Sequence, residues 1–158
     1  MSAAQEKAAS VGGCRLKGGQ FVAVQAAPTL LDIAVASFDR QTGIPIIYFN
    51  PRAVSRLPAP FREFVHAHEC AHHYLNHLRA GPVGSLGETE ADCWAATELT
   101  AQGVLSASDI VAVSQVMTTL LPGDRTHLAG YIRARELQHC VRHSRNTEPD
   151  RVASATTD

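Results

Sequence analysis

The chain has 158 residues, enough for one domain with a substantial core but too few for two ordinary domains. Apolar residues make up 45% of it and charged residues 18%, with a formal net charge of -1. This balance is ordinary for a globular protein and gives no electrostatic support for binding nucleic acid or an anionic membrane. No apolar run reaches the roughly 20 residues that span a bilayer. The N terminus also lacks the apolar segment of a secretory signal. We therefore expect no membrane span, and a cytoplasmic protein as the chain stands, or a periplasmic or secreted one if a leader has been removed.

Turn and capping residues divide the chain into a few strands followed by helices, which predicts an α+β fold. Residues 1–13 and 144–158 are polar at the two ends and are predicted to be disordered, leaving one domain over residues 14–143.

The first half of that domain contains the predicted strands. Short apolar stretches at residues 14–17 and 21–25 flank a Gly-Gly turn and predict a hairpin. Residues 28–40 carry apolar side chains at helical spacing and are followed by Thr42-Gly43, which predicts a helix with a glycine stop. The β-branched and aromatic residues 44–50 predict a strand.

The second half is predicted to be helical. A helix over about residues 60–78 is followed by a Gly-rich loop at 81–87 and a second helix over about 88–101. Two C-terminal helices are predicted at residues 106–120 and 131–142, the first of them capped by its initial serine.

Four cysteines, Cys14, Cys70, Cys93 and Cys140, are too widely spaced for a redox or zinc-ribbon motif. Two disulfides and four buried thiols are equally compatible with this spacing. If the protein is exported, the preferred pairs are Cys14 with Cys140, which would tie the chain ends together, and Cys70 with Cys93.

The strongest functional signal is His68-Glu69-Cys70-Ala71-His72, an H-E-x-x-H motif within a predicted helix. At about 100° per residue, His68 and His72 lie about 40° apart and one turn apart, so they can share one metal ion. The apolar stripe of the same helix lies within about 60° of His68: Phe61, Phe64, Val65, Ala71 and Leu75. Imidazoles in such a stripe are costly unless they are satisfied, and a metal ion satisfies them.

Three further histidines, His66, His73 and His77, fall on the opposite side of the helical wheel. A solvated histidine face accounts for them.

The next predicted helix opens with Glu88-Thr-Glu-Ala-Asp92 and supplies a third ligand. Glu88 and Asp92 are one turn apart on an alanine-rich face, whereas Glu90 lies roughly 200° from Glu88 and is expected to face solvent. Acids also favour a helix N-terminus, but that would not explain Asp92 among alanines. We expect Glu88 to be the third ligand and Asp92 to accept a hydrogen bond that orients one imidazole.

The HECAHH and ETEAD segments resemble the gluzincin zinc metallopeptidases, and more narrowly the soluble catalytic core of the CAAX prenyl endopeptidase family. Thr126-His127-Leu128 with Arg133 is similar to a later motif of that family, although Leu128 stands where proline is usual. The membrane helices of that family have no counterpart here, so its substrate class does not carry over. The compact ImmA/IrrE-like peptidases are a neighbouring resemblance, usually with asparagine in place of Asp92.

The resemblance implies a minimal zincin-like domain, a small sheet with an edge strand at about 44–50 packed on the H-E-x-x-H helix. An extended peptide could pair with that strand, although an ordinary core strand is equally compatible. One Zn²⁺ per chain on His68, His72 and Glu88 would activate water, with Glu69 as general base. His127, with Arg133 supporting or contributing, is implied to stabilise the oxyanion.

The favoured function is therefore a zinc-dependent endopeptidase acting on a peptide or protein substrate. The alternative is a non-catalytic, metal-stabilised binding module, which would retain the zinc site but would need no base at Glu69. The sequence leaves the substrate, the cleavage specificity and the oligomeric state open.

Overall fold

The computed structural model describes residues 13–79, 81–120 and 128–146, with side chains through Arg142. These residues form a three-stranded mixed sheet and five α-helices, which confirms the predicted α+β class. None of these helices combines the length and apolar character needed to cross a membrane. The chain divides into two compact units, Met1–Val83 and Gly84–Asp158.

The first unit holds the sheet, whose strands are β1 (Ala23–Ala26), β2 (Ala34–Phe38) and β3 (Pro45–Phe49). β3 is the central strand and pairs parallel with β1 and antiparallel with β2. Ile46 and Ile47 at its middle are both buried, as expected for a strand that is covered on both faces.

The strand predicted at residues 44–50 is therefore confirmed, but its placement at the sheet edge is wrong. Both sides of β3 are hydrogen bonded to neighbouring strands, so β3 has no edge left for a peptide. The edges of the sheet are β1 and β2.

The helix predicted over residues 28–40 is also wrong, because β2 lies in this range. Asp39 Oδ1 accepts hydrogen bonds from the backbone N–H groups of Gln41 and Thr42, and the Gly43 N–H donates to the Asp39 carbonyl. Gly43 has a φ of 68°, a left-handed value that glycine adopts at little cost. The glycine that ends the apolar pattern thus closes the β2–β3 hairpin, and does not stop a helix.

Before β1, the predicted N-terminal hairpin is confirmed in part. Arg15 and Phe21 form an isolated antiparallel bridge. The chain then leaves the hairpin and enters β1, which pairs with β3 instead.

Helices α1 (Pro51–Val54) and α2 (Ala59–Tyr74) follow the sheet, and a short 3-10 helix spans His77–Arg79. α2 packs against β2 and β3. Its apolar stripe forms part of the core of the first unit, with Phe61 and Phe64 almost fully buried. The predicted helix is confirmed, but it ends about one turn earlier than expected.

The second unit consists of α3 (Ser85–Ala101), α4 (Ala107–Leu120) and α5 (Gly130–Asn146). Both α3 and α4 pack against α5. Ala91 and Ala95 are completely buried on α3, where small side chains allow close approach of a neighbouring helix, and Leu137 is completely buried on α5. The three predicted helices are confirmed.

The predicted disordered ends, residues 1–13 and 144–158, lie outside the described residues apart from Gly13 and the last positions of α5.

The structure has two disulfides, Cys14–Cys70 and Cys93–Cys140, with Cα–Cα distances of 5.5 and 5.4 Å. The predicted pairing of Cys14 with Cys140 and of Cys70 with Cys93 is therefore wrong. A helical wheel gives the direction of a cysteine around its own helix, but not the element that lies there. Each observed disulfide instead joins residues within one unit. Cys14–Cys70 links the N-terminal hairpin to α2, and Cys93–Cys140 links α3 to α5.

Candidate metal site

Two of the predicted ligands, His68 and His72, lie one turn apart on α2, and each is at most 6% exposed. Their Nε2 atoms are 3.0 Å apart, so both rings direct the same nitrogen toward one point. The phenyl ring of Phe64 packs beside His68, with ring centroids 6.3 Å apart. The helix thus places two imidazoles in apolar surroundings, where a metal ion would satisfy their lone pairs.

Glu69, between the two histidines in sequence, points to the sheet. Its Oε2 accepts a hydrogen bond from the backbone N–H of Ala36 in β2, at 2.7 Å. The predicted general base therefore also links α2 to an edge strand.

Glu88 and Asp92 lie on α3 and are 4% and 1% exposed, whereas Glu90 is exposed as predicted. Glu88 lies in the first turn of α3, where the partial positive charge of the helix N-terminus favours a carboxylate. α3 begins at Ser85, so the predicted loop contributes its last residues to the helix.

Arg133, on α5, neutralises this acidic pair. Its Nε and Nη2 donate to the two oxygens of Asp92, both at 2.7 Å, in a bidentate pair. The guanidinium is also 4.0 Å from Glu88 Oε2. Arg133 is only 8% exposed, so the pair is shielded from water and the charges interact strongly.

His68, His72 and Glu88 together form a buried group that could hold a metal ion. Two imidazoles and one carboxylate are the ligand set of many catalytic zinc sites, in which the fourth position is left to water or substrate.

The histidines predicted to face solvent do not do so, and that interpretation is wrong. His73 is 6% exposed, donates from Nε2 to the Ile46 carbonyl at 3.0 Å, and meets Phe38 edge to face. His77 Nδ1 lies 3.0 Å from His72 Nδ1, and His66 is half-buried. α2 is covered on more than one side, which its apolar stripe alone does not reveal.

Burial also shifts the pKa of two of these histidines, His66 and His73. It lowers the pKa of His73, against the opposing effect of the hydrogen bond to the Ile46 carbonyl. It lowers the pKa of His66 likewise, against the attraction of the nearby Glu63 carboxylate. Burial therefore favours the neutral form of both rings.

His127 lies outside the described residues, so its placement stays a prediction. Asp92 accepts hydrogen bonds from Arg133. The hydrogen bond from an imidazole to Asp92, expected from the sequence, also stays a prediction.

Sequence reasoning missed the contact of His77 with His72 and that of Glu69 with Ala36. A signal for the first was present in Asn76, because asparagine often occupies the left-handed position that ends a helix.

No family model, curated protein or solved structure matches this chain, so the resemblance to gluzincins rests on its motifs.

Proposed function

We propose that this protein is a zinc-dependent endopeptidase. The observation that carries the proposal is the buried group of His68, His72 and Glu88. Glu69 lies between the two histidines in the sequence of α2. A purely structural zinc site would normally fill all four positions with protein ligands, whereas the described part of the chain supplies three in this group.

The donor set fits zinc in kind, and its two histidines also fit it in spacing. Ligand atoms that are each about 2.1 Å from a tetrahedral ion lie about 3.4 Å from one another. The Nε2 atoms of His68 and His72, 3.0 Å apart, are close to that separation. Mg²⁺ and Ca²⁺, which prefer all-oxygen ligands, fit two imidazoles poorly.

When bound, zinc would lower the pKa of a coordinated water and polarise a carbonyl group. Glu69 would accept the proton of the attacking water and pass it to the leaving amine. His127 would stabilise negative charge on the carbonyl oxygen, as the resemblance implies. Arg133 would hold the buried acidic pair of α3 in place and partly neutralise Glu88.

One observation favours a second candidate, the metal-stabilised binding module. Glu69 already accepts the Ala36 N–H, so it has a structural role that requires no catalysis. In that function the same three ligands would stabilise the fold, and Glu69 would only join α2 to β2.

A digest of a peptide library by zinc-loaded protein separates the two functions. The endopeptidase predicts cleavage that stops on chelation, returns with zinc, and falls in a Glu69→Gln variant. Stable zinc binding without any cleavage would support the binding module, and the absence of zinc binding would contradict both.

A further inference from the structure

We propose that His77 is a positioning residue for the metal site, whose Nδ1 accepts a hydrogen bond from the Nδ1–H of His72. This bond would fix the tautomer in which His72 presents the lone pair of Nε2 to the metal. The inference rests on the metal-binding part of the proposed function and not on peptidase activity.

The two ring nitrogens of His72 have different neighbours. Its Nε2 lies 3.0 Å from His68 Nε2, and its Nδ1 lies 3.0 Å from His77 Nδ1. A neutral imidazole has one N–H donor and one lone-pair acceptor. Because metal ligation requires the lone pair at Nε2, the proton of His72 must be on Nδ1. His77 Nδ1 is then the acceptor, and His77 carries its own proton on Nε2.

His77 could instead be regarded as a third histidine ligand, since it follows the H-E-x-x-H motif by five residues. The geometry argues against that role. His77 meets Nδ1 of His72, whereas the nitrogen that His72 shares with His68 is Nε2. A residue that ligated the same ion would approach the Nε2 side. The contact of His77 is instead the kind that orients a ligating histidine.

The end of α2 produces this contact. In a continuing helix His77 would lie about 140° around the axis from His72 and about 7.5 Å along it, too far for a hydrogen bond. The helix instead ends at Tyr74, and Asn76 adopts a left-handed φ of 60°. The chain turns back there and places the His77 ring 5.3 Å from that of His72, centroid to centroid.

Asparagine is one of the few residues other than glycine that tolerates this conformation. The local sequence Leu75-Asn76-His77 therefore both terminates the helix and delivers the acceptor. The same turn at Asn76 therefore ends α2 and brings the His77 ring to His72.

Zinc affinity, measured by competition with a chromophoric chelator, tests the role of His77. His77→Ala should weaken zinc binding by about 10–100-fold, the usual effect of removing the partner of a ligating histidine. His77→Asn should restore most of the affinity, because its Oδ1 occupies nearly the position of the lost Nδ1. His66→Ala, which removes a half-buried histidine of α2 outside the ligand group, should bind zinc like the wild type. Circular dichroism of each variant checks that it is folded.

A second measurement reads the tautomers directly and does not depend on any variant folding. Nitrogen NMR of histidine-labelled, zinc-loaded wild type should show the proton of His72 on Nδ1 and that of His77 on Nε2. A proton on Nδ1 of His77, or equal zinc affinity in wild type and His77→Ala, would overturn this proposal alone. Normal zinc affinity without cleavage would overturn the peptidase alone, and a wild type that binds no zinc would overturn both.

Discussion

Glu69 Oε2 lies 2.7 Å from the backbone nitrogen of Ala36 and accepts its hydrogen bond. In the β2–β3 hairpin, the N–H of Asp39 donates to the Ile44 carbonyl, so every second residue of β2 bonds to β3. Ala36 falls between those residues, and its N–H points to the outer edge of the sheet. The carboxylate at the centre of the H-E-x-x-H motif therefore occupies a hydrogen-bonding position at the edge of β2.

Two substitutions at Glu69 separate its structural role from its catalytic one. Glu69→Gln keeps an oxygen that can accept the Ala36 N–H but cannot take up a proton. We expect unchanged zinc content and nearly unchanged stability, with hydrolysis reduced by about 10²–10⁴-fold. Glu69→Ala should lose hydrolysis equally and also about 1–3 kcal/mol of unfolding free energy, because the amide loses its partner. Urea unfolding and peptide-cleavage rates provide the two readouts. Equal cleavage by wild type and Glu69→Gln would exclude Glu69 as the base.

Glu88 and Glu90 form a matched pair for testing the metal ligands, since they are two residues apart on α3 and differ in burial. Glu88→Ala should lose most of the bound zinc on dialysis, as His72→Ala should, because two protein ligands hold zinc poorly. Glu90→Ala should retain about one zinc per chain. Atomic absorption on the dialysed proteins measures the difference. Full occupancy in Glu88→Ala would show that the third ligand is another residue.

The candidate ligands were predictable from sequence because their spacing matches the helical repeat. His68 and His72 lie one turn apart inside the long helix α2, so an error at its end does not affect their spacing. Glu88 lies within the first turn of α3, and the three-residue error in the predicted start of that helix leaves Glu88 helical. The prediction fails where the chain turns. A helical wheel continued to residue 78 puts His77 on the side of the helix opposite His68. In the structure α2 ends at Tyr74, and His77 contacts His72 instead.

Contacts between segments that are distant in the sequence were harder to predict from the sequence. Asp92 and Arg133 are 41 residues apart, and neither helical pattern indicates that they pair. The strand β2 was not predicted, for a different reason. Ala34 and Phe38 are spaced as on a helix, and only the turn chemistry of Asp39 and Gly43 reveals a hairpin.

The disulfide connectivity is open to direct test. Proteolytic peptide mapping without reductant, on protein expressed under oxidising conditions, should yield the linked pairs Cys14–Cys70 and Cys93–Cys140. Because the first pair is separated by 56 residues, its removal by Cys14→Ser with Cys70→Ser should cost about 4 kcal/mol of unfolding free energy in the chain-entropy picture. A linked peptide containing both Cys14 and Cys140 would contradict this connectivity.

Asp109, in the first turn of α4, should make the free energy of unfolding depend on pH in the acid range. The Ser106 hydroxyl, and then its backbone N–H, lower the pKa of Asp109 in the folded state. Stability from this group is therefore present above the ordinary carboxylate pKa and is lost as pH falls through the lower folded pKa.

Asp109→Asn should reduce the difference in unfolding free energy between pH 7 and pH 2. Ser106→Ala should cost about 1 kcal/mol at pH 7 as a lost helix cap. Urea titrations at the two pH values measure both effects. An unchanged pH dependence in Asp109→Asn would show that this carboxylate does not contribute.

The buried bidentate pair of Arg133 and Asp92 should act as one unit in the folding stability of the protein. Removing one partner alone, as in Arg133→Leu, leaves a buried carboxylate uncompensated and should cost about 3–5 kcal/mol. Replacing both, by Arg133→Leu with Asp92→Leu, should cost less than the sum of the two single changes, because neither member of the pair then remains as a buried charge without the other. Arg135→Leu, which changes an exposed arginine of the same helix, should stay within about 0.5 kcal/mol of wild type. Chemical unfolding of these variants gives the coupling energy, and strictly additive losses would mean that the pair does not act as a unit.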